Sequence, residues 1–118
     1  MVYELWSMFL TLSPGAAMFT DAAAIRRVSR GAYGNAYLLE VASAIAAHGK
    51  DKFTQSDIVK STMIDKGLVA VAVRKLLAAG LVRVLPDEGR ERPLFREVSV
   101  YWDNARRHHQ ELVDLPHD

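Results

Sequence analysis

The 118-residue chain has no cysteine, which excludes disulfides, thiolate metal sites, iron-sulfur clusters, cysteine nucleophiles and thiol redox sensing. With four prolines and seven glycines it has neither a collagen-like repeat nor a proline-rich linker, and no internal repeat or low-complexity segment breaks it up. Its longest apolar opening, Met1 to Leu12, is too short to span a bilayer and has no positive region before it. No P-loop, dinucleotide fingerprint or serine, histidine and acid combination occurs, so no enzymatic activity is expected. Half the residues are hydrophobic and a quarter charged, the balance of one globular domain, and a cytoplasmic location is expected from the missing cysteines.

Large net charge is also missing, since the formal total is +1. The charges are nonetheless segregated. Residues 50–83 carry seven cations (Lys50, Lys52, Lys60, Lys66, Arg74, Lys75, Arg83) against Asp51, Asp57 and Asp65, a net of +4. The segment from 98 onward is −2, and residues 84–97 and 1–20 are −1 each. A basic centre between acidic flanks is a candidate footprint for a polyanion.

Local signals divide the chain. Met1 to Leu12 is read as a short amphipathic or buried helix interrupted at Ser13-Pro14-Gly15, and Thr20-Asp21 as the start of a helix to about Arg30 that stops at Gly31. Asn35 to His48 is apolar on nearly every face and predicts a helix buried on several sides, closed by Gly49. Thr54-Gln55-Ser56-Asp57 is a capping box with Asp in the place of Glu, opening a short helix to about Thr62. Asp65 is an N-cap for a helix from Lys66 to Ala79 that Gly80 ends. Leu81 to Leu85 and Leu94 to Val98 predict a β-hairpin with a long charged tip, and Tyr101 to about Leu112 a final helix. The expected fold is therefore mainly α with a small β-hairpin, in one domain: a helical extension over 1–33, a core over 34–98 and a terminal helix over 99–118.

Short helix, turn, helix and two-stranded hairpin is the order of a winged helix-turn-helix. The stretch Val73-Arg74-Lys75-Leu76-Leu77-Ala78-Ala79-Gly80-Leu81-Val82 resembles the junction between recognition helix and wing in MarR-type, ArsR-type and PadR-type regulators, and Thr54 to Val59 resembles the start of the preceding helix. The likeness covers roughly residues 36–98. It implies a homodimeric regulator that binds double-stranded DNA in sequence-specific fashion, with the second helix in the major groove. At 100° per residue, Val69, Ala72, Val73 and Leu76 share the inner face, leaving Gly67, Val71, Arg74, Lys75 and Ala78 outward. On this reading Arg74 is the direct base reader, because a guanidinium pairs bidentately with guanine. Val71 faces the groove, Lys60, Lys66 and Lys75 hold phosphates, Gln55 and Ser56 donate to phosphate oxygens, and Arg90 and Arg92 reach from the wing.

The outward face is poor in polar readers, with Ala70, Val71 and Ala78 on it, so a winged helix serving as a protein-interaction module is the alternative. Gly31-Ala32-Tyr33-Gly34 is similar to a G-x-x-G loop that grips single strands, but the flanking strands are missing and it is read as a helix break. His108 and Glu111 are three apart on a helix, yet adjacent histidines diverge, so neither a metal nor another cofactor is expected. The apolar residues outside the core, Trp6, Phe9, Leu10, Tyr101, Trp102 and Leu112, are assigned to a twofold dimer. The competing arrangement packs both ends onto the helix over 35–48.

Overall fold

The computed structural model describes residues 14–86 and 92–115, with side chains described from residue 22. Five helices and three short strands follow in the order α1 (Pro14–Tyr33), α2 (Leu38–Ala47), β1 (Lys52–Phe53), α3 (Gln55–Thr62), α4 (Lys66–Ala78), β2 (Val82–Val84), β3 (Leu94–Arg96) and α5 (Val100–Val113). The expected fold class holds, with two corrections to its elements. Helix α1 runs unbroken from Pro14 through Thr20 and Asp21, where a helix start was expected, and past Gly31 to Tyr33. Proline is tolerated in a first helical turn because the N–H it lacks has no intrahelical partner there. The break comes at Gly34, whose φ of +76° lies in the left-handed region.

The second correction concerns the sheet. The predicted hairpin is present, but a third strand joins it in the order β1-β3-β2, all antiparallel. Val82 faces Arg96, Val84 and Phe53 both face Leu94, and Lys52 faces Phe95. A two-residue strand has too short an alternation to be seen in sequence.

Helix α2 is the centre of the molecule. Leu39, Val41, Ala42 and Ile45 are fully or almost fully buried, and α1, α3, α4 and α5 all pack against this helix. One core is built around it from Ile25, Phe53, Ile58, Ile64, Val69, Ala72, Val73, Leu76, Val82, Leu94, Trp102 and Ala105. The turn from α1 to α2 is tied by Ser29, the one buried polar side chain among the described residues. Its hydroxyl donates to the Asn35 carbonyl at 2.6 Å and accepts from the Leu39 amide at 3.0 Å. Both hydroxyl capacities are used, so its burial leaves no orphan polar atom.

The other end of α2 is closed from the sheet. The Arg96 guanidinium donates through Nη1 to the carbonyls of Ile45, Ala46 and His48 at 2.6, 3.0 and 3.2 Å, and through Nη2 to the Asp51 carboxylate at 2.8 Å. The last carbonyls of a helix have no intrahelical donor, and a cation there also meets the negative end of the helix dipole. The Arg96 backbone amide adds a bond to the Asp51 carbonyl at 2.8 Å.

Trp102 was expected at a dimer surface, and the structure corrects this. Its side chain is 6% exposed within its own chain, and the indole N–H donates to the Glu97 carbonyl at 2.8 Å. Tyr101 and Leu112 are half-buried and pack against the same core. Packing on the core covers Trp102 within the chain, as the competing arrangement has it for the C-terminal end, while Tyr101 and Leu112 keep part of their surface exposed. Trp6, Phe9 and Leu10 lie outside the described residues. Further along α5, His108 Nδ1 shares a 2.7 Å hydrogen bond with the Tyr33 hydroxyl. His109 lines an open groove of about 490 Å³ between α2, α3 and α5, with Glu40 and His48 on its walls. Burial lowers the His109 pKa, the nearby Glu40 opposes the shift, and His108 adds to it.

Two outcomes follow. Arg96→Ala removes the side-chain donor from three carbonyls, of which Ile45's keeps the His48 amide, and is expected to cost about 2 to 3 kcal/mol, with Arg96→Lys recovering part, as read by urea denaturation. Because the folded chain resists protonating His109, the unfolded chain binds that proton first. The resulting stability is present above the unfolded value of about 6.5 and is lost as pH falls below it. His109→Gln is expected to flatten this part of the loss as pH falls below about 6.5. Parallel wild-type and variant profiles would contradict the assignment.

Candidate nucleic-acid interface

The unit formed by α3, the turn at 63–65, α4 and the hairpin is built from local rules that the sequence announces. At the start of α3 the Thr54 hydroxyl accepts from the Asp57 amide at 3.2 Å, while the Thr54 amide donates to the Asp57 carboxylate at 2.9 Å. This reciprocal box fixes the direction in which the helix enters. At its far end the Thr62 hydroxyl donates to the Ile58 carbonyl at 2.7 Å and accepts from the Ile64 amide at 3.2 Å. Between them Met63 adopts φ +59°, a left-handed conformation that a side chain other than glycine resists, and stands 86% exposed.

The next helix, α4, is set at both ends. The Asp65 carboxylate accepts from the Gly67 amide at 3.0 Å, and a Cβ at Gly67 would meet that same carboxylate oxygen at 3.1 Å. Glycine there leaves the cap undisturbed. At the C-terminal end the Gly80 amide donates to the Leu77 carbonyl and the Leu81 amide to the Leu76 carbonyl, both at 3.0 Å, with Gly80 at φ +77°. These are the two bonds of a Schellman motif, closed by apolar contact when Leu81 turns back onto the core. The chain then enters β2 directly, so the position of the hairpin relative to α4 is fixed within two residues.

Burial divides α4 as its spacing predicts: Val69, Ala72, Val73 and Leu76 are buried, and Gly67, Val71, Arg74, Lys75 and Ala78 are exposed. Ala70 is half-buried. Lys66 opens the helix, Lys75 lies in its last turn and Lys60 in the last turn of α3, all exposed. Lys60, Lys66, Arg74 and Lys75 make no ion pair with another described residue. Gln55 and Ser56 sit half-exposed in the first turn of α3, with Ser56 already engaged in an interaction of its own.

The wing is less cationic than its sequence. Arg83 pairs with Glu97 at 2.7 Å and lies over the Phe95 ring at 4.8 Å, and Arg96 is spent on α2. Arg92 is exposed beside β3, and Arg90 lies outside the described residues. Of the arginines on α1, Arg26 is paired with Glu40 at 2.9 Å and stacked over Tyr37, so it is not available to a partner. The structural role of Arg96 was not anticipated; its place beside the charged wing tip gave only a contribution to net charge.

The architecture is that of a winged helix-turn-helix, α4 holding the position of the recognition helix. A family model described as MarR family matches residues 39–93, from α2 to the base of β3 and a little under half of the chain. The match supports the MarR likeness and adds nothing on the ArsR and PadR ones. No curated protein and no solved structure matches the chain. Among the described residues no helix is long and apolar enough to cross a membrane.

The left-handed Met63 gives a direct test of the turn. Met63→Gly is expected to raise the unfolding free energy by about 0.5 kcal/mol, relief of the strained φ being partly offset by the freer unfolded chain. Met63→Val is expected to lower it by about 1 kcal/mol, since a β-branched side chain fits that region worst. Thermal melts of the three proteins in one buffer decide the order.

Proposed function

We propose that the chain is a transcriptional regulator of the MarR type that binds double-stranded DNA in sequence-specific fashion as a homodimer. The observation that carries this reading is the set of four exposed cations, Lys60, Lys66, Arg74 and Lys75, on the helix-turn-helix, none of them paired with another described residue. The net charge of +4 over residues 50–83 resides largely there. The match over residues 39–93 supports it independently. Arg74 lies in the C-terminal half of the outward face and acts as the base reader. Lys60, Lys66 and Lys75 flank it and hold phosphates. Gln55 and Ser56 add donors at the first turn of α3, and Arg90 and Arg92 bring the wing to the neighbouring groove or backbone.

The chain acts as one domain in this proposal, with residues 34–98 forming the reading unit. The homodimer is assembled from the end segments, through Trp6, Phe9 and Leu10 and the exposed parts of Tyr101 and Leu112. Two reading helices then meet successive half-sites of a pseudo-palindrome. Location in the cytoplasm, where such a regulator meets its DNA, belongs to the same proposal.

Duplex affinity should fall with salt at about −0.9 in the log-log slope per neutralised phosphate. Lys66→Ala is expected to reduce the steepness by about that amount, equally on all sequences. Arg74→Ala is expected to cost about 1 to 3 kcal/mol on the preferred site and much less on unrelated duplex. Absence of binding to a diverse duplex pool at low salt would overturn the proposal and leave the face to a protein partner.

A further inference from the structure

The recognition helix has an unusual chemical inventory. From Lys66 to Ala78 its residues are Lys-Gly-Leu-Val-Ala-Val-Ala-Val-Arg-Lys-Leu-Leu-Ala, with no serine, threonine, asparagine, glutamine, histidine, aspartate or glutamate among them. None of these side chains can accept a hydrogen bond. The amino groups that adenine and cytosine present in the major groove are donors, so no side chain of this helix can read them. Two kinds of contact remain. Arg74 and the lysines can donate to acceptors such as guanine O6 and N7, and apolar side chains can meet the C5 methyl of thymine.

The structure also places the two kinds at different ends. Arg74 and Lys75 occupy the C-terminal half of the outward face, whereas the N-terminal half presents Leu68, 39% exposed, and Val71, 36% exposed, on one stripe three residues apart. Gly67 beside them has no side chain to hold the backbone away from a base edge. Exposed cations frame the stripe, with Lys66 at its start and Lys75 one turn beyond Val71. That frame suits an occupant whose rim is anionic and whose floor is methylated, which describes a thymine-bearing major groove. Burying one methyl-sized group changes affinity about fourfold.

We propose that Leu68 and Val71 determine specificity by contact with thymine methyls, so that the preferred half-site pairs a thymine read by this stripe with a guanine read by Arg74. The inference rests on the DNA-binding reading above and names the bases which that site takes.

The test begins with duplexes carrying a random core, enriched on the wild-type protein. Each thymine of the enriched sequence is then replaced singly by uracil, which removes the methyl and keeps every hydrogen-bonding group. One or two positions are expected to lose about fourfold in affinity, with the salt slope unchanged. Val71→Ala or Leu68→Ala should bring the thymine-to-uracil ratio at those positions towards one. Both side chains are already partly exposed, and a thermal melt confirms that each variant folds. Arg74→Ala should weaken binding and leave that ratio intact. An enriched sequence indifferent to uracil, or a ratio unmoved by both apolar variants, overturns this inference while sequence-specific binding stands. Failure to bind any duplex at low salt overturns the inference together with the DNA-binding reading.

Discussion

The Arg96 guanidinium lies where three parts of the fold meet. It leaves β3, crosses to the C-terminal end of α2, satisfies three carbonyls there and ends on the Asp51 carboxylate just before β1. Helix α2 is apolar on nearly all sides and is packed against four other helices, and at its carbonyl end the chain itself supplies the His48 amide to the Ile45 carbonyl, while Arg96 supplies the Ala46 and His48 carbonyls. A planar, always charged group with several donors in a fixed fork suits that end better than an ammonium. At 18% exposure the side chain is screened enough from solvent for these bonds to count. The consequence reaches the helix-turn-helix and its wing, because β3 also pairs with β2, which leaves α4 within two residues of its cap. The wing and recognition helix are thereby oriented against the same central helix.

That orientation is reinforced from the other end by short-range chemistry. The box at Thr54 and Asp57, the cap at Asp65 and the Schellman bonds at Gly80 each fix a chain direction within a few residues. Between them the buried residues of α4 choose which face remains outside. The cations on that face owe their freedom to the distribution of acids. Glu40, Asp51 and Glu97 are paired with Arg26, Arg96 and Arg83, all outside α4, and Asp57 and Asp65 are occupied as caps. A near-neutral chain thus presents a local cationic surface, because its acids are drawn elsewhere into ion pairs and caps.

The sequence made legible what depends on near neighbours. Thr54, Asp57, Asp65 and Gly80 carry their roles in their spacing, and the 3.6-residue period identified the inner face of α4 correctly. Contacts between distant segments were not legible. Thr20-Asp21 reads as a helix start, yet nothing local prevents those residues from lying within a helix begun at Pro14. Ser29 is a single hydroxyl whose burial depends on the packing of α2. Trp102 shows the same limit: an aromatic residue in a terminal amphipathic helix looks alike whether it covers a partner or its own core. Only the position of α5 against α2 decides. Arg96 sits next to a charged loop tip, and its local context suggests solvent exposure, because its partners lie some 45 to 51 residues earlier.

The central claim is that the outer face of α4 and the first turn of α3 meet duplex DNA. Amide resonances followed during titration with a random-sequence duplex at low salt test it most directly. The account predicts progressive shifts confined to the first turn of α3, the 63–65 turn, α4 and the wing around Arg92, with the 490 Å³ groove between α2, α3 and α5 little affected. Shifts centred on that groove, or none at all as duplex accumulates, would contradict it.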